Sequence, residues 1–225
     1  MPKADFDEHA QTYRESLNAS LTPFGGKDTF FDFYKIYCLK KWTITDNRAH
    51  DILDYGCGIG KITGILAKEF SLSNIYGYDV SKESVLVAKK ENSELKNIYF
   101  IDELSEKQKY NFIIAANVFH HIKLAERKDA LLKLKKLLKP SGKIIIFEHN
   151  PLNPITRRIV KECSFDKDAE IILRGEFIKL AEACDLKTEL KRYIVFFPWA
   201  SNLLRNLEHL LKFVPLGAQY MLVLK

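Results

Sequence analysis

Residues 51–60 read Asp-Ile-Leu-Asp-Tyr-Gly-Cys-Gly-Ile-Gly, and no other stretch of the chain restricts its fold as tightly. A short apolar run ends at Asp54. Three glycines follow at alternate positions, and Ile62, Ile65, Leu66 and Phe70 then recur at helical spacing. Strand, glycine loop and helix in that order build a nucleotide-type binding site. Glycine reaches backbone angles closed to other residues, and without a Cβ it lets a ligand lie against the main chain. The helix start behind the loop offers N–H groups that no helical carbonyl uses.

Spacing narrows the ligand. The dinucleotide fingerprint Gly-x-Gly-x-x-Gly needs glycine at position 61, where this chain has lysine and its third glycine is Gly60. A phosphate-cradling Gly-x-x-x-x-Gly-Lys-Ser/Thr run is absent. Asp54 precedes the first glycine by two, where its charge repels a pyrophosphate and suits a ligand bearing an ammonium group. Residues 74–80 read as a second strand, with Asp79 at its tip as a hydrogen-bond acceptor for two ribose hydroxyls. Asp79 or Ser81 equally reads as the cap of the next helix, Lys82 to about Glu91, and both roles can hold together. Residues 97–102 read as a third strand and 110–118 as a fourth, followed by Phe119-His-His-Ile122.

Taken together, the loop Gly56-x-Gly58-x-Gly60, the acid Asp79, the pair Asp102 and Glu103 after the third strand and the segment after the fourth resemble the motifs of class I S-adenosylmethionine (SAM) methyltransferases, over about residues 48–148. Asn111 departs from the aspartate often found there. The resemblance implies a Rossmann-like α/β fold with a seven-stranded sheet, order 3-2-1-4-5-7-6, strand 7 antiparallel, helices on both faces and N-terminal lid helices. It implies SAM as cofactor, held by Tyr13, Asp54, Gly56, Cys57, Gly58, Asp79, Val80, Asp102, Glu103 and Asn117, with the adenine near Asp102 and Glu103. Cys57 is expected to act through its backbone, its side chain serving as filler.

The chain has 225 residues, 47% of them hydrophobic, enough for one core, and one domain over 1–225 is expected. A net charge of +6, with lysines such as Lys133, Lys135 and Lys136 scattered over helical surface, makes nucleic acid an improbable acceptor. Cys38, Cys57, Cys163 and Cys184 show no metal-ligand spacing, the start is unlike a signal peptide, and no apolar run reaches 18 residues. A reducing cytoplasm is the expected location, as monomer or homodimer.

Before the core, residues 1–47 carry two helical patterns, Phe6 to Leu17 and Asp28 to Trp42, expected to form a lid in which Tyr13 and Lys35 face the cofactor; the alternative packs Tyr13 on the core edge and leaves Lys35 in solvent. After the fourth strand, an amphipathic helix over about 123–138 should stop at Pro140-Ser-Gly142, ahead of a fifth strand over 143–148. Strands alternating with helices point to a parallel sheet with right-handed crossovers. Insertions follow at about 149–174 and 198–216, around strands 6 (about 187–197) and 7 (about 217–224). A helix over about 201–213 should turn Leu203, Leu204, Leu207, Leu210 and Leu211 inward and Arg205, Glu208 and Lys212 outward, unless its apolar stripe meets a membrane or partner. Phe24, Phe30, Phe31, Phe165, Phe196, Phe197 and Trp199 supply rings for an acceptor pocket or for the core.

Methyl transfer to a hydroxyl needs a general base, and histidine titrates near working pH. His120 and His121 follow strand 4, and Glu148 and His149 end strand 5. Asp166 and Asp168 read as a helix cap rather than metal ligands, and no metal is expected. The expected activity is methylation of a small molecule at oxygen or nitrogen. RNA methylation and a SAM-binding module without catalysis are the alternatives.

Overall fold

The computed structural model describes residues 28–163, 166, 169–197, 208 and 210–225. The first leading helical pattern with Tyr13, and also Phe24, Phe165, Asp168, Trp199 and most of the 201–213 segment, lie outside the described residues.

Seven strands form one sheet in the order β3-β2-β1-β4-β5-β7-β6. They are β1 (Asp51–Tyr55), β2 (Asn74–Tyr78), β3 (Ile98–Ile101), β4 (Tyr110–Ala116), β5 (Leu138–His149), β6 (Thr188–Ile194) and β7 (Gln219–Leu224). Strands β1 to β5 pair in parallel, and β7 runs antiparallel between β5 and β6. The chain reverses direction of travel at β1, since β2 and β3 lie to one side and β4 and β5 to the other. A crevice opens at the carboxyl ends of strands where such a reversal occurs.

The helices are α1 (Asp28–Trp42), α2 (Lys61–Glu69), α3 (Lys82–Glu91), α4 (Arg127–Lys136), α5 (Pro154–Glu162) and α6 (Arg174–Glu182). The central strands are apolar on both sides, because helices cover both faces of the sheet. On one face Leu39 of α1 and Leu66 of α2 pack with Ile52, Ile75, Ile114, Ile145 and Phe147. On the other, Leu131 and Leu134 of α4 and Phe177 of α6 pack with Leu53, Ile113, Ile144 and Ile146. Ser81 caps α3 by accepting from the Ser84 N–H at 3.1 Å. Asn153 caps α5 in the same way, with Pro154 in the first turn where a missing N–H costs nothing.

Two expectations need correction. Pro140-Ser-Gly142 does not separate a helix from β5. The helix ends at Lys136 and the strand already starts at Leu138. The register jumps from Tyr110↔Leu138 to Phe112↔Lys143, so the three residues are accommodated as an irregularity inside the strand, the setting in which a sheet tolerates proline. Ser141 takes the left-handed conformation there, with φ +64°. The polarity expected over 201–213 is also reversed at Glu208 and Leu210. Glu208 is buried, accepting from the Phe196 and Phe197 N–H groups at 2.8 and 3.0 Å and from the Tyr34 hydroxyl, while Leu210 is 77% exposed. No described helix is long and apolar enough to cross a membrane.

Candidate functional site

The glycine loop leaves β1 in left-handed conformations, with φ +74° at Gly56, +51° at Gly58 and +76° at Gly60. Such angles strain any residue with a Cβ. The surroundings differ among the three. A Cβ on Gly56 would meet Val118 Cγ2 at 2.5 Å, and one on Gly60 would meet Ala88 Cβ at 2.8 Å, so both are needed for packing. A Cβ on Gly58 would meet nothing within 4 Å among the described residues. Of the three, Gly58 alone has this room beside it among the described residues. Gly60 starts α2 without a side-chain cap, which leaves N–H groups at the helix start.

The loop is tied to the tip of β2. Gly56 and Cys57 N–H groups donate to the Tyr78 carbonyl at 2.7 and 3.0 Å. Asp79 accepts from the Gly58 N–H at 2.8 Å through one oxygen and from the Ser81 N–H at 2.9 Å through the other. These two bonds join the glycine loop to the start of α3 through Asp79. Val80, beside it, is 43% exposed. Asp102 and Glu103 lie exposed after β3, with Lys89 3.5 Å from Asp102. Asn117 has φ +58° after β4 and accepts from the Gln219 amide at 3.3 Å. The Cys57 thiol is buried, 3.2 Å from where a Cβ on Gly77 would lie, and burial pushes its pKa well up; it is filler, and inert.

Asp54 is 1% exposed and accepts from the Thr63 hydroxyl at 2.7 Å. Burial raises its pKa to about 7 against the Thr63 hydrogen bond, and the nearby Asp79 charge adds to the rise. Lys35 is buried rather than solvated, 3.9 Å from Asp32; burial lowers its pKa, opposed by Asp32, Asp54 and Glu148 among others.

Val118 connects the loop to a second cluster. Its N–H and that of Phe119 donate to Glu148 Oε1 at 3.0 and 2.7 Å. The other Glu148 oxygen is 2.5 Å from His120 Nδ1. His120 Nε2 and His121 Nε2 stand 3.5 and 3.4 Å from the same oxygen of Asp166. The His149 ring centroid is 5.1 Å from that of His120. The expected cap at Asp166 is therefore a correction: α6 starts only at Arg174, and the Asp166 side chain turns to the histidines. Burial opposes charge on His120, but Glu148 and Asp166 outweigh it and raise its pKa to about 10. Burial, aided by the His120 charge, lowers His121 and His149 to about 4, so both are neutral. Burial also works against the Asp166 carboxylate, yet the three histidines hold it down at about 2.

The structure thus gathers His120, His121, Glu148, His149 and Asp166 from two strand ends and an insertion. Sequence reasoning named the first four but missed how Asp166 joins them. Of the rings proposed for a pocket, Phe30 and Phe31 pack on one core cluster and Phe196 on the other. Asn111, at the opposite end of β4, accepts from the Asp51 N–H at 2.9 Å and from Lys139 at 3.2 Å. Asp51 already supplies the carboxylate there, 2.6 Å from Lys139.

Comparison with known proteins agrees with the fold. Residues 53–144 match a methyltransferase domain family. A malonyl-[acyl-carrier protein] O-methyltransferase of Halalkalibacterium halodurans is 32% identical over 108 residues, 44% of this chain, and the match spans only 39% of that relative's length. A TehB-like SAM-dependent methyltransferase from Corynebacterium glutamicum superposes with a TM-score of 0.65 over 99% of this chain and 98% of that one, at 21% identity. The magnesium protoporphyrin IX methyltransferase of Synechocystis, with bound S-adenosylhomocysteine (SAH), superposes with a TM-score of 0.61 over 87% of this chain and 83% of that one, at 14% identity.

Proposed function

We propose that this chain, a class I SAM-dependent methyltransferase by its core and its fold, methylates a small-molecule acceptor at oxygen or nitrogen. One observation carries the reading: among the described residues no side chain fills the space beside Gly58, and the N–H of that glycine anchors the Asp79 carboxylate at the tip of β2. When bound, SAM supplies a methyl group activated by its sulfonium.

Asp79 accepts from the ribose hydroxyls, and Val80 with Asp102 and Glu103 borders the adenine. Asp54 faces the ammonium group, whose charge draws the buried carboxyl into its ionised form. The acceptor side lies across Val118, at the histidine cluster. His120, clamped by Glu148, fixes the geometry of the cluster. His149 is neutral and offers the hydroxyl or amine of the acceptor a hydrogen-bond acceptor at the rim. One domain over 1–225 follows from this reading, with the segments after β5 on the acceptor side.

The test is methyl transfer from labelled SAM into a metabolite extract, with and without nuclease. Label should enter the small-molecule fraction and be indifferent to nuclease. Label confined to nuclease-sensitive material would establish the RNA reading, and saturable SAH binding with no transfer to any fraction would establish a binding module.

A further inference from the structure

We propose that His120, His121 and Asp166 form a binding site for a divalent transition-metal ion of the zinc class. The three donor atoms lie within 4.8 Å of one another. The two histidine-to-aspartate separations, 3.5 and 3.4 Å, are long for charge-assisted hydrogen bonds, which close to about 2.7–2.9 Å. They suit the edges of a coordination tetrahedron, because ligands about 2.0–2.1 Å from a shared ion stand about 3.3–3.4 Å apart.

The surroundings of His120 point the same way. A ligating histidine characteristically donates its other ring N–H to a carboxylate, which fixes ring orientation and strengthens the donor nitrogen. Here Nδ1 of His120 is 2.5 Å from Glu148, leaving Nε2 for the ion. Glu148 is itself held by two backbone N–H groups, of Val118 and Phe119, and is 0% exposed. An ion at Nε2 displaces the proton that His120 otherwise carries; the imidazoles are then neutral, and the Glu148 and Asp166 carboxylates carry the charge that a divalent ion cancels. The two imidazole donors select zinc, iron, copper or nickel over magnesium and calcium. Two histidines and one carboxylate make the open set of a catalytic site, with a fourth position for an outside ligand. Gln219, the cross-strand partner of His149, is 4% exposed, and its amide oxygen has no hydrogen-bond partner among the described residues. That orphaned acceptor suits a polar ligand at the same rim. Resting on the methyltransferase reading, the fourth position takes the oxygen of the acceptor, and the acceptor class narrows to hydroxyl or carboxylate compounds. This reverses the expectation of a metal-free protein.

The experiment uses the full chain stripped by chelation, titrated calorimetrically with Zn²⁺ and spectroscopically with Co²⁺. One equivalent should bind, with the intense visible absorption of tetrahedral Co²⁺. His121→Gln and Asp166→Asn should each weaken it at least tenfold. Glu148→Gln, which spares every ligand, should weaken it about 10–100-fold. SAH titration on the same samples reports folding of the cofactor half, and all three variants should retain it. Weak, non-stoichiometric binding that survives all three substitutions would overturn the site. Stoichiometric metal without SAH binding in the unsubstituted chain would keep the site and refute the function proposed above; SAH binding with no metal uptake would do the reverse.

Discussion

At the level of single residues, the three loop glycines separate packing from ligand contact. Gly56→Ala drives a Cβ into Val118 and strains a left-handed backbone, so it should destabilise the fold by about 1–3 kcal/mol in urea unfolding. Gly58→Ala meets no protein atom, so its cost to folding should be the smaller, while SAH affinity should fall at least tenfold. Equal SAH affinity in Gly58→Ala and the unsubstituted chain would show that the open space beside Gly58 is not the cofactor's. Asp54 gives a second prediction, about pH. Its folded pKa of about 7 exceeds the ordinary value of about 3.9, so between these values the folded chain holds a proton that the unfolded chain releases. Stability of the cofactor-free protein should therefore decline from this source as pH rises from about 4 to about 7, and level off above. Asp54→Asn removes that slope, so urea unfolding at pH 5 and pH 8 should favour the variant more at pH 8. An identical stability difference at the two pH values would refute the buried, raised carboxyl. The loop between β1 and α2 was legible in the sequence because its left-handed glycines follow from spacing along a few consecutive residues. Asp166 was not. Its partners lie on a turn far earlier in the chain, and a lone aspartate before a helical pattern is equally well explained as a cap.

Secondary structure was legible wherever a segment meets water on one side and core on the other, or core on both. The apolar runs of β1, β4 and β5 and the cap of α3 belong to that class. Pattern failed where a polar residue is buried with partners. Reading by polarity sends Glu208 to solvent, yet it accepts from two loop N–H groups and from Tyr34 of α1, fastening the end of the second insertion to the leading helix. Glu208→Ala leaves those donors unpaired and should cost about 1–3 kcal/mol, the penalty for an abandoned buried group. Glu208→Gln keeps an acceptor oxygen and should lose less. A loss below about 0.5 kcal/mol for the alanine variant would mean water replaces the carboxylate without penalty. Pro140 misled for the complementary reason: proline signals a break, but a register irregularity absorbs it inside β5.

Across the whole molecule, strand order places the two halves of the site together. Because β1 and β4 are neighbours, the loop after β1 touches Val118 after β4, and Val118 in turn hydrogen bonds Glu148 at the end of β5. Cofactor loop and histidine cluster thus share one rim through contacts between residues remote in sequence. Local spacing could not supply that adjacency; the strand order in the sequence reading came from family resemblance. The central claim is that this rim binds SAM through Gly58 and Asp79, and calorimetric titration with SAH of the unsubstituted chain and of Asp79→Ala tests it most directly. Losing a charged acceptor for ribose hydroxyls should cost about 1.5–3 kcal/mol, an affinity loss of roughly 10–100-fold, on a background of one-to-one binding by the unsubstituted chain. Absence of binding by the unsubstituted chain, or the same affinity in both proteins, would contradict the account.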